Sequence, residues 1–185
     1  MVDESRPGVE DLTTKQKELL ESLDAKGDRE AVIIGHGYLE DALCAMLDAF
    51  FIENAKKTAK RALPGSFDNR CDLAYALGFL GPNMLADLRR LGHIRNLFAH
   101  RWQTLRFSSP EIEKTCGALV HGELIADGQV LDARQRYLKV IGLLSTHMLG
   151  RVSGLRHLDR GNDFRWAAWD TPSSLVVAER DKEQD

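Results

Sequence analysis

Apolar residues recur along this chain every three or four positions rather than every second one, and the recurrence breaks at a few Gly, Pro and Asp sites. That spacing predicts an all-α, single-domain helical bundle of about five to six helices. The first helix is expected over 9–24, with Leu12, Leu19, Leu20 and Leu23 apolar and Lys26-Gly27 closing it. Asp28 can cap a longer second helix reaching to about Asn54, in which Val32, Leu39, Leu43, Met46, Leu47 and Phe50 share a face. The basic run Lys56, Lys57, Lys60 and Arg61 follows, then a Pro64-Gly65 turn, and Ser66 is placed to cap a third helix from Phe67 to Leu80. Gly81-Pro82 separates it from a fourth helix ending near His100 or Arg101. A loop over Trp102 to Ser109 leads to a short helix started by Pro110, and a hairpin-like excursion over 122–131 carries Asp127-Gly128. The last helix is expected over 132–158, with Tyr137, Ile141, Leu144, Met148 and Leu155 on its face. Periodicity ends there. The domain is therefore expected to span 1–158, and 159–185, with Trp166 and Trp169 and a charged end, reads as an irregular tail.

The fourth helix carries the candidate chemistry. At about 100° per residue, Met84, Leu88, Leu91, Ile94 and Phe98 point one way, which is a buried face. Arg89, His93, Asn96 and His100 form a second stripe on the other side, a candidate binding face. Arg95 falls only about 40° from Leu91, inside the apolar sector, so its guanidinium needs a partner. On the second helix His36 and Glu40 stand one turn apart at the border of the apolar stripe. One reading makes His36 a satisfied core histidine beside a surface acid. The sharper reading is a structural ion pair between Glu40 and Arg95, whose loss would cost about 3 kcal/mol.

Composition narrows the function classes. A length of 185 residues suits one core, and 43% hydrophobic with 29% charged residues is ordinary for a globular protein. No apolar run approaches the ~20 residues that cross a bilayer, and the N-terminus has no secretory pattern, so the expected compartment is the cytoplasm, with no membrane partner. A net charge of −3 argues against binding nucleic acid with the whole surface. Cys44, Cys71 and Cys116 are read as small buried hydrophobes, and the six histidines form no metal-ligand pattern, so no metal or cofactor is expected. A helix-turn-helix is not expected, because the Gly81-Pro82 turn leads into a helix with a strongly apolar face.

Arg95-Asn-Leu-Phe-Ala-His100 resembles the R-x4–6-H motif of the HEPN superfamily, all-α domains that commonly dimerise and in many members cleave RNA without metal. The resemblance implies that His100 would move a proton at the ribose 2′-hydroxyl, Arg95 would stabilise charge on the phosphate and Asn96 would position it. An intact helix would set Arg95 and His100 about 140° apart, so a shared site would need the helix to end early or a second subunit to contribute.

A longer set of matches runs through Gly37-Tyr-Leu-Glu-Asp-Ala-Leu43, Leu63-Pro-Gly-Ser-Phe-Asp-Asn-Arg-Cys-Asp-Leu-Ala-Tyr-Ala-Leu-Gly78, Asp87-Leu, His93-Ile-Arg-Asn-Leu-Phe-Ala-His100 and Asp132-Ala-Arg-Gln-Arg-Tyr137. These segments, within residues 29–150, are similar to the mannitol operon repressor family, although His93 stands where that family often has a charged residue. The resemblance implies an all-α, HEPN-like, homodimeric cytoplasmic regulator of a sugar-alcohol operon, working through a protein partner or an effector rather than by direct DNA readout. A non-enzymatic regulator is the expected reading, and a HEPN-type endoribonuclease using Arg95, Asn96 and His100 is its alternative.

Overall fold

The computed structural model describes residues 9–51, 63–100, 105–126 and 130–152, with their side chains except at 9–13, 15, 16 and 124–126. Among the described residues every regular element is helical: α1 (Val9–Asp24), α2 (Asp28–Asp48), α3 (Phe67–Ala76), α4 (Pro82–His100), α5 (Pro110–Gly117), α6 (Val120–Ala126) and α7 (Ala133–Val152). The all-α bundle expected from the periodicity is thus observed, with seven helices among the described residues rather than five to six. The added one is α6, in the stretch read as a hairpin-like excursion; its tip, Asp127-Gly128, lies outside the described residues. The second helix ends at Asp48, with Ala49 as its C-cap, rather than near Asn54, so Phe50 lies beyond it. The basic run at 56–61, Trp102, the end of the last helix and the tail also lie outside the described residues.

At the centre α2 packs along α7, α1 lies across both, α4 packs on α2, and α3 bridges α2 and α4. Helices α5 and α6 cover α7 and α4. The predicted apolar faces meet in one core: Leu39, Leu43, Met46 and Leu47 of α2, Leu88, Leu91, Ile94 and Phe98 of α4, and Tyr137, Ile141, Leu144 and Met148 of α7. Burying such side chains is the main driving force, at about 1.5–3 kcal/mol for each large one. No helix among the described residues is long and apolar enough to cross a membrane.

Three local details differ from expectation. Asp28 does not cap α2; Gly27 holds that position without a side-chain bond. The Asp28 carboxylate instead accepts from the Phe107 amide at 2.9 Å and from Arg134 at 2.6 Å. Arg134 also donates to the Leu23 and Lys26 carbonyls, both at 2.8 Å, so one guanidinium closes the end of α1 and ties the α1–α2 turn to α7. The third helix stops at Ala76 rather than Leu80, because Gly78 takes a left-handed conformation with φ 74°. Phe79 N–H then reaches Ala74 O and Gly78 N–H reaches Tyr75 O, both at 2.9 Å, the Schellman arrangement that only a residue tolerant of positive φ supports without strain.

Candidate functional site

His36 and Glu40, one turn apart on α2, face the start of α3 and the last turns of α4. Together with Gly65, Ser66, Phe67, Asp68, Gly92, Arg95 and Asn96 they line a cleft of about 270 Å³. Its walls follow from local sequence. Ser66 caps α3, accepting from the Asn69 amide at 3.2 Å, which fixes where the helix begins. Gly92 faces that beginning on α4: a Cβ there would lie 3.4 Å from the Phe67 ring, in van der Waals contact, so only a side chain longer than that of alanine would press on α3. Phe67 in turn packs on the His36 imidazole, ring centroids 4.4 Å apart at 56°.

His36 is only 2% exposed, and its Nε2 has no hydrogen-bond partner among the described residues. Burial, followed by the nearby Arg95 charge, lowers its pKa from 6.5 to about 4, against the opposing pull of Glu40 and Asp68. The imidazole is therefore neutral near pH 7. Of the two readings of His36, the satisfied core histidine is not what the structure contains.

The expected pair between Glu40 and Arg95 is not formed. Glu40 accepts from Arg70 at 2.6 Å, and Arg70 is fixed further by Pro64 O at 2.8 Å and by Cys44 Sγ at 3.5 Å. Arg95 donates instead to Asn96 Oδ1 at 2.9 Å. Two physical reasons account for the correction. Arg95 is half-buried and opens on the cleft, so its charge is not desolvated enough to demand a carboxylate. And the α3 start brings a second arginine to Glu40, which a helical wheel of α4 does not contain.

The candidate binding face is partly dispersed. Arg89 pairs with Asp72 at 2.6 Å on the surface, and His93 and His100 are exposed without lining the cleft. Asn96 alone of the four residues Arg89, His93, Asn96 and His100 lines it. Helix α4 runs unbroken through His100, its end held by Arg29 Nε on Phe98 O at 2.8 Å. Within one chain, then, Arg95 and Asn96 are brought together and His100 is not.

A chain in the X-ray structure of the MtlR-HPr complex from Escherichia coli is similar to this one, with a TM-score of 0.52 and 22% identity over 75% of this chain and 98% of that one. At that identity the likeness is one of fold. No family model and no curated protein matches the chain.

Sequence reasoning missed two polar clusters. Arg70 lies four residues after the Ser66 cap, hence on the same side of α3, and that spacing was the available signal. The other cluster is Asp87, fully buried, which accepts from the Val120 and His121 amides, both at 2.9 Å, from His121 Nδ1 at 2.8 Å and from Arg90 at 3.0 Å. No spacing in the sequence joins residue 87 to residue 121. Burial raises the pKa of Cys71 and Cys116 to about 12 and that of Cys44 above its ordinary value, so none of the three is an activated nucleophile. Cys44 is half-buried rather than buried as expected. Among the described residues no three His, Cys, Asp or Glu side chains gather where they could hold a metal.

Proposed function

We propose that this protein is a cytoplasmic, homodimeric transcriptional regulator of the mannitol-repressor type, acting through a protein partner rather than by reading DNA bases. The observation that carries the reading is the fold shared, over 75% of this chain, with a chain of the MtlR-HPr complex from Escherichia coli. The segments from Gly37 to Tyr137 that resemble the mannitol operon repressor family support it. So does charge: α4 presents Arg89 tied to Asp72, Arg90 tied to Asp87 and Arg95 opening on a small cleft, which is not a basic stripe able to neutralise successive phosphates. The partner proposed first is HPr from the producing organism. Isothermal titration of the purified chain with that HPr is expected to give saturable binding. Absence of binding, together with tight sequence-specific shift of operator DNA by the isolated protein, would sink the partner-mediated version.

A second reading, a metal-independent HEPN-type endoribonuclease, is favoured by one observation, the Arg95–Asn96 hydrogen bond at the cleft wall. It requires His100 from a second copy, since His100 does not line the cleft of its own chain. The decisive measurement is cleavage of mixed RNA by the wild type beside Arg95→Ala and His100→Ala. Cleavage indifferent to both substitutions excludes this site.

A further inference from the structure

We propose that the cleft between α2, α3 and α4 is a binding site for a small hydroxylated anion, a phosphate or carboxylate that also carries hydroxyl groups. This goes beyond the partner-based reading and does not rest on it.

Two polar groups at the cleft are left incomplete. Among the described residues the Arg95 guanidinium has Asn96 Oδ1 as its hydrogen-bond partner and no carboxylate within ion-pair distance, so most of its donors remain free at the cleft wall. His36, whose buried Nε2 has no partner among the described residues, is part of the same wall. A polar atom kept from water without a partner is costly, and native proteins retain few of them. A ligand that draws the ring slightly towards the cleft and reaches Nε2 recovers that loss. The ten-residue helix α3 starts at the wall with Phe67 and Asp68 in its first turn, where the amides lack intrahelical partners and the helix dipole favours negative charge.

The carboxylates decide what else the ligand needs. Glu40 is neutralised by Arg70, but Asp68 has no ion-pair partner among the described residues and would repel a bare anion. Hydroxyl groups on the ligand donate to Glu40 and Asp68 while its anionic end faces Arg95 and the α3 start. At about 270 Å³ the space suits a molecule of a few carbon atoms, and its lining of charged and hydrogen-bonding groups suits a polar one.

The test follows the His36 ring and Asn96 side-chain amide signals by NMR in the full chain. Glycerol 3-phosphate and glycerate are titrated as hydroxylated anions, with acetate and glycerol as single-function controls. At least one hydroxylated anion is expected to shift both signals saturably, with a Kd about tenfold below that of either control, as for one added hydrogen bond to a charged group. Which of the two binds identifies phosphate or carboxylate as the anionic end. Arg95→Gln is expected to raise that Kd about tenfold or more. If it fails to fold, Asn96→Asp at an exposed position carries the test, because a carboxylate there pairs with Arg95 and occupies its charge. Absence of shifts with both probes, equal binding by acetate or glycerol, or affinity unchanged in the folded variants overturns the proposal.

Discussion

Two buried polar side chains, Asp87 and His36, lie on neighbouring helices and have opposite fates. Asp87 is wholly excluded from solvent and receives four hydrogen bonds, two from the first amides of α6 and two from the side chains of His121 and Arg90. His36 is almost as deeply buried, yet its Nε2 has no partner among the described residues, and the residue lies in a cleft wall. A carboxylate taken from water is tolerable when its lone pairs are filled, and the filling orders whatever supplies the donors. Asp87 is therefore part of the scaffold: it is why α6 starts at Val120 and stays docked on α4. The unfilled imidazole nitrogen orders no donor; His36 serves the scaffold only by packing on Phe67, beside the cleft proposed as an anion site.

The largest effect expected from this contrast is at Asp87. Asp87→Ala removes an acceptor shared by the half-buried Val120 and His121 amides and by the His121 and Arg90 side chains, and should lower unfolding stability by about 3–5 kcal/mol, as for breaking a buried charged network. Asp87→Asn should lose less, because one amide oxygen still accepts. Urea denaturation of both variants checks this; a loss below about 1 kcal/mol in Asp87→Ala would show that the network is incidental.

The contrast also explains what was legible in the sequence. Helix positions and core faces were, since a stripe such as Leu88, Leu91, Ile94 and Phe98 is written in local spacing. The end of α3 was misread because Leu77 and Leu80 continued an apolar pattern that Gly78 interrupts. The start of the cleft was half visible: His36 and Glu40 stood out as polar groups beside an apolar stripe, and Arg95 as a cation within one. Their partners were not visible, because pairing depends on how helices distant in sequence approach. Arg70 reaches Glu40 across 30 positions, and Asp87 reaches the start of α6 across 33. A helical wheel treats one helix at a time, so it identified a need at Arg95 and assigned the wrong supplier.

The second effect concerns pH. The folded pKa of His36, about 4, lies below the ordinary histidine value of 6.5, so the unfolded chain binds the extra proton more readily. The stability that follows from a neutral His36 is fully present above pH ~6.5, falls as pH drops towards ~4, and is lost below it, a total of about 3 kcal/mol. Carboxylates titrate over part of the same range, so the informative quantity is the difference between wild type and His36→Leu. That variant should be within about 1 kcal/mol of wild type at pH 8, since an unpartnered polar group is exchanged for an apolar one of similar size. At pH 4.5 it should be the more stable protein. Parallel stability curves for the two proteins from pH 8 to 4.5 would show that His36 titrates normally and is not desolvated as described.

The smallest effect distinguishes the two arginines. A buried pair of Glu40 with Arg95 would make Glu40→Ala cost about 3 kcal/mol. The pair observed, with Arg70, has side chains 19% and 30% exposed, so solvent screens it and the expected loss is about 1 kcal/mol. The partner can be identified by a double-mutant cycle. Arg70→Met should remove most of the cost of Glu40→Ala, giving a coupling of about 0.5–1 kcal/mol, whereas Arg95→Met should leave that cost unchanged. Coupling to Arg95 instead would mean that the charges in the cleft are arranged in the way the α4 helical wheel first suggested. Arg95 would then be occupied by Glu40, and the contrast between a filled Asp87 and an unfilled cleft would lose the free cation on which anion binding depends.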